Sequence, residues 1–114
     1  MLTVESLREY GANLEEGISR CMGNEEFYLK LVRMALADGN YEKLDKALAA
    51  EDWSAAFNSA HALKGVLGNL SLTPAYEPMV RLTDLLRAKT ACDYKEVYEE
   101  FLKAKNELVR IKDE

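Results

Sequence analysis

The chain has 114 residues, which suits one domain built around one modest core. Hydrophobic residues make up 48% of it, so a packed globule is expected rather than a disordered chain. The net charge of −5 argues against nucleic acid or an anionic membrane as partner, and no apolar run approaches the roughly 20 residues that cross a bilayer.

Helix formers dominate, and alternating strand patterns, internal repeats and Ser/Gly-rich linkers are absent, so the chain reads as a series of punctuated helices. The first spans Val4 to Tyr10 and stops at Gly11. The second runs from Leu14 to Met22, with Asn13 and Glu16 at capping-box spacing and Gly23 as the stop. The third covers Glu25 to Ala37, with the apolar set Phe27, Leu31, Met34 and Ala35 at helical spacing, before Asp38-Gly39-Asn40 breaks the chain. The fourth is short, about Tyr41 to Ala49, with Leu44 and Leu48 on one side. Asp52 caps a fifth from Trp53 to Leu70. Thr73-Pro74 opens the next, since proline is tolerated in a first turn. Pro78 leaves that start ragged, and the helix continues to about Lys89 with Met79, Leu82 and Leu86 inward. The last runs from Tyr94 to Ile111 behind an Asp93/Glu96 capping box, with Val97, Phe101, Ala104, Leu108 and Ile111 as its stripe. Short connections make neighbouring long helices antiparallel. The expected fold is all-α, an up-and-down four-helix bundle with short N-terminal helices: a single domain over 1–114, with a helical cover over about 1–23 and the bundle over about 24–114.

The fifth helix carries the stretch AHALKGVLGN, which holds the only histidine, His61, and two glycines. Each glycine inside a helix costs about 1 kcal/mol relative to alanine. With His61 set to zero on a helical wheel, Phe57 falls at about −40°, Lys64 at about −60°, Gly65 at about +40° and Gly68 at about −20°. Ala56, Leu63, Leu67 and Leu70 gather on the opposite side and form the core face. His61 is therefore expected on the solvent side, with Lys64 and both glycines flanking it where no packed neighbour demands a missing side chain. The glycines clear space around the imidazole, so something large approaches it from outside. Lys64 lies one turn away, where its ammonium can neutralise a phosphoryl group attached to the ring. Phe57, Gly65 and Gly68, bordered by Ala62 and Val66, would form an apolar, low-relief patch suited to a transient docking contact.

His61-x-x-Lys64-Gly65-x-x-Gly68-Asn69-Leu70 resembles the signature of histidine-containing phosphotransfer (HPt) domains. The HxxKG core is matched in full, although the family usually has glycine where Ser71 stands. The resemblance implies a four-helix bundle with N-terminal helices. It implies that His61 is a phosphoacceptor relaying a phosphoryl group between aspartates of response-regulator receiver domains, fed by a hybrid sensor histidine kinase. It implies that Lys64 interacts with that group and that Gly65 and Gly68 are kept small for receiver docking. By gapless counting it also places Thr83 and Arg87 of the following helix where some family members steady the imidazole.

No Gly-rich phosphate loop is visible, so the chain is expected to be a phosphotransfer intermediate without its own ATP site rather than an enzyme. No cofactor or metal site is expected in this chain; Mg²⁺ belongs on the partner receiver. Cys21 and Cys92 match no metal-ligand spacing and read as free thiols of a reducing cytoplasm. MLTVESLREY lacks a charged-then-apolar signal pattern, which also points to the cytoplasm. The default oligomeric state is a monomer. Two other functions fit the same helix: the phosphoacceptor domain of a chemotaxis-type histidine kinase, and a helical adaptor whose histidine is never phosphorylated.

Overall fold

Side-chain caps start the helices where short polar residues precede apolar periodicity. Thr3 accepts from the Ser6 N–H at 3.0 Å and Ser6 reciprocates, opening α1 (Val4–Tyr10). Asn13 accepts from Glu16 at 3.2 Å to open α2 (Leu14–Arg20), and Asn24 accepts from Phe27 at 3.0 Å to open α3 (Glu25–Leu36). After α4 (Asn40–Ala49), Asp52 accepts from Ala55 at 3.2 Å at the head of α5 (Trp53–Asn69). α6 (Thr73–Arg87) begins with proline in its first turn, and α7 (Lys95–Asp113) follows. The computed structural model describes residues 1–88 and 94–114, so Lys89, Cys92 and the Asp93 half of the expected capping box lie outside the described residues.

The protein is an all-α helical bundle. α4, α5, α6 and α7 pack as successive neighbours. The Tyr28 hydroxyl, near the start of α3, donates to the Leu70 carbonyl at the end of α5 at 2.7 Å, while Ala50 to Asp52 join the end of α4 to the start of α5. α3 and α4 thus run as one broken helix antiparallel to α5, interrupted at Asp38–Gly39. The core holds Tyr28, Val32, Leu44, Leu63, Leu67, Met79, Leu82, Phe101 and Leu108, all essentially without exposed surface. Among the described residues no helix is long and apolar enough to cross a membrane.

Three expectations need correction. α2 ends at Arg20 rather than Met22, whose positive φ of 58° takes it out of the helix and leaves it 96% exposed. The inner face of α3 is Tyr28, Val32 and Ala35. Phe27 and Met34, two of the four in the apolar set read from the spacing, are exposed. The cause is Tyr28: its hydroxyl has a carbonyl to meet at the end of α5, and bringing it inward turns Phe27 out. The third concerns the Asn13/Glu16 box, of which half forms. The Asn13 N–H donates to the Ser71 carbonyl at 2.9 Å, leaving the Glu16 carboxylate for other partners. Pro78 does not end α6; it removes one donor, and its ring is buried within the helix.

Candidate functional site

α5 buries Ala56, Ala60, Leu63 and Leu67 and turns His61 to solvent, as a helical wheel requires. At Gly65, one turn on, an added Cβ would meet nothing within 4 Å. The backbone there is bare and approachable. Lys64 is half-buried and makes no hydrogen bond or ion pair with a described residue, so its ammonium has no fixed partner. It borders a cleft of about 440 Å³ that also touches Gly65, Gly68, Arg20, Ser71 and Tyr76. Ala62 and Val66 are half-buried beside this strip.

Gly68 does not share the open strip. A Cβ there would lie 2.8 Å from the Tyr76 ring of α6, so this glycine admits an aromatic ring from the neighbouring helix. The expectation of two glycines clearing one approach is corrected to one: Gly65 is open, and Gly68 is a packing contact.

Phe57 is half-buried and packs on the core, less exposed than a free docking aromatic would be. Its ring lies against the His61 imidazole, with centroids 5.7 Å apart and planes inclined by 21°. The Arg87 guanidinium stands 5.5 Å from the Phe57 centroid and pairs with Asp84 at 3.0 Å. Arg87 therefore meets Phe57 and makes no hydrogen bond to the imidazole, in contrast to the steadying role that the resemblance implies. Thr83 is fully buried and donates its hydroxyl to the Met79 carbonyl at 2.7 Å, a back-bond within its own helix that commits its only donor.

The end of α5 is held by residues that local patterning did not single out. Its last turn carries no basic residue. The helix closes instead with the Leu72 N–H on the Leu67 carbonyl and the Ser71 N–H on the Gly68 carbonyl, both at 3.1 Å, the two bonds of a Schellman turn. Such a turn puts Ser71 at φ 53°, which explains why glycine is usual there. Arg20 supplies the missing cation from α2. It donates to the Gly68 and Asn69 carbonyls at 2.9 and 3.2 Å and to the Ser71 hydroxyl at 2.8 Å, and it also pairs with Glu16. Ser71 in turn donates to Glu16 at 3.1 Å, so hydrogen bonds offset its left-handed backbone. Tyr28 caps Leu70, and burial pushes its phenol up to about 12. Gly17 makes this approach possible: a Cβ there would lie 2.7 Å from the Tyr28 ring and 2.9 Å from the Leu70 carbonyl. The legible signal is the lack of a cation in the last turn of α5 together with serine, not glycine, at position 71 just past it, which calls for a donor from elsewhere.

Among the described residues no three His, Cys, Asp or Glu side chains gather to hold a metal. The strip thus presents a solvent-facing imidazole, an uncommitted ammonium one turn away and an open backbone. The family model described as the Hpt domain matches residues 30–113, most of the chain and the whole of α4 to α7. The chain belongs to the Hpt domain family. It is thereby a histidine phosphotransfer module of the kind used in two-component phosphorelays, where such modules act as phosphocarriers with receiver domains and kinases. No curated protein and no solved structure matched the chain. The Hpt match takes in His61, Lys64 and Gly65. It begins inside α3, so Gly17, Arg20 and Tyr28, which hold the end of the histidine helix, lie outside it.

Proposed function

We propose that this Hpt domain is a phosphorelay intermediate: His61 accepts a phosphoryl group from the aspartyl phosphate of one receiver domain and passes it to the aspartate of another. The observation that carries the reading is the exposed imidazole with open space over Gly65 on the same strip. A neutral imidazole nitrogen attacks the phosphorus in line. An N–P bond forms as the P–O bond to the receiver's aspartate breaks, and the freed carboxylate leaves with the electron pair. The other ring nitrogen keeps its proton. Lys64, without a competing partner, neutralises charge on the phosphoryl oxygens, and the receiver supplies Mg²⁺ and the rest of the preorganised charge. Transfer to the second receiver runs the same step in reverse.

The donor upstream is a hybrid sensor kinase, and the chain itself draws no phosphoryl group from ATP. Ala62, Gly65 and Val66 form the rim a receiver covers, with the half-buried Phe57 packed on the core beside it. The chain works as one cytoplasmic, monomeric domain over 1–114, binding neither nucleic acid nor membrane and holding no cofactor of its own. The inclusion of α1 and α2 in that domain is supported by Arg20 on the α5 carbonyls and by the Tyr10 hydroxyl on the Ala104 carbonyl of α7 at 2.9 Å. Incubation with a phosphorylated receiver, read by intact mass before and after acid, tests the assignment. One acid-labile phosphoryl group is expected on the parent and none on His61→Gln. A label retained by that variant would sink the assignment.

A further inference from the structure

The imidazole of His61 is exposed and makes no hydrogen bond or ion pair with a described residue. Two side-chain torsions would then be free, and a ring that turns freely presents its nitrogen to phosphorus only part of the time. In-line displacement needs the nitrogen lone pair along the breaking P–O bond, and misalignment lowers the rate. One contact restricts the ring. Phe57 precedes His61 by one helical turn, so the two side chains share a strip. Their rings lie 5.7 Å apart and 21° from parallel, within the range aromatic pairs favour.

Phe57 is the anchored member of the pair, since it is half-buried and packs on the core. Its position is tied in turn to α6, where Arg87 stands 5.5 Å from its ring centroid and is oriented by Asp84 at 3.0 Å. Contacts therefore run from Asp84 through Arg87 and Phe57 to the reacting ring. Resting on the reading of His61 as the phosphoacceptor, we infer that Phe57, held by Arg87, is a positioning residue that fixes the imidazole orientation for transfer, a role distinct from a docking contact. The bond made is N–P, the bond broken is P–O to the receiver's aspartate, and Phe57 touches neither.

Two measurements separate positioning from docking. Three-bond couplings at His61 in the unphosphorylated protein should show one χ1 rotamer in the parent and in Phe57→Tyr, and a mixture in Phe57→Leu. Single-turnover transfer should be followed against the concentration of phosphorylated receiver. In Phe57→Leu the rate at saturation should fall about threefold to tenfold, with the half-saturating concentration moving by less than about twofold and Phe57→Tyr restoring both. Arg87→Ala, an exposed change that leaves the core alone, should broaden the same rotamer and lower the saturating rate about twofold, and it tests the inference even if Phe57→Leu does not fold. A loss confined to the half-saturating concentration would make Phe57 a docking contact and overturn the inference. So would a single rotamer retained in both variants. A parent that takes no phosphoryl group would count against His61 as the carrier, while the rotamer measurement still decides the stack.

Discussion

Gly65 and Gly68 stand one turn apart on α5, inside one motif, and face different things. Around Gly65 an added Cβ would find empty space, whereas at Gly68 it would meet the Tyr76 ring at 2.8 Å. The same residue type thus serves approach at one position and close packing at the next. The contrast extends along the helix. Around His61 the chain leaves polar side chains without hydrogen-bond or ion-pair partners among the described residues: an exposed imidazole and a lysine, beside a bare backbone. Seven to ten residues further on, the backbone carbonyls of Gly68 to Ser71 are all engaged, by Arg20, Tyr28, the Ser71 N–H and the Asn13 N–H. An open site is compatible with a defined geometry because the helix bearing it is held at its end.

The strongest way to break that contrast is to loosen the held end. Gly17→Ala puts a methyl group against the Tyr28 ring and a backbone carbonyl that cannot swing aside. It should lower stability by about 2–3 kcal/mol in denaturant unfolding. Unchanged stability would mean that α2 does not sit tightly on Leu70.

A smaller effect sharpens the contrast between the two glycines directly. Gly65→Ala should raise stability by up to about 1 kcal/mol, because helix propensity improves and nothing is displaced. Gly68→Ala should gain clearly less or lose stability, since Tyr76 must move. Removing the ring with Tyr76→Ala should return the missing gain, so the pair will be non-additive in a double-mutant cycle. Equal gains at both positions in the parent background would erase the distinction.

The smallest stability effect belongs to Lys64→Ala, within about 0.5 kcal/mol, as for other surface changes. Its transfer rate or phosphohistidine lifetime should nevertheless fall, by about threefold to tenfold, through loss of charge neutralisation. Parental values for both would leave Lys64 an ordinary surface lysine.

Much of this was readable from local pattern. The caps at Thr3–Ser6, Asn24 and Asp52 are local hydrogen bonds, and two of the helix starts expected from the sequence follow from such caps at Asn13 and Asp52. The phase of α5 is legible because its small and leucine positions form one unambiguous face, which puts His61 in solvent. α3 offered two apolar faces. Which one turns inward depends on a carbonyl at Leu70, 42 residues away, that Tyr28 reaches. The meaning of Gly68 likewise depends on Tyr76 from the next helix, and that of Gly17 on the end of α5. Gly65 was legible because its role is to face nothing. Residues whose roles are set by partners distant in sequence were not.

Gly65→Leu tests the central claim most directly, with thermal melts and transfer from a phosphorylated receiver measured on the same samples. The larger side chain enters open space on a helix, so the domain should fold with stability at or slightly above the parent. It would also stand in the receiver's approach to His61, and transfer should slow at least about tenfold, a loss of about 1.4 kcal/mol in the transition state. A folded Gly65→Leu that transfers at the parental rate would contradict the account, because the open space beside His61 would then serve no incoming partner.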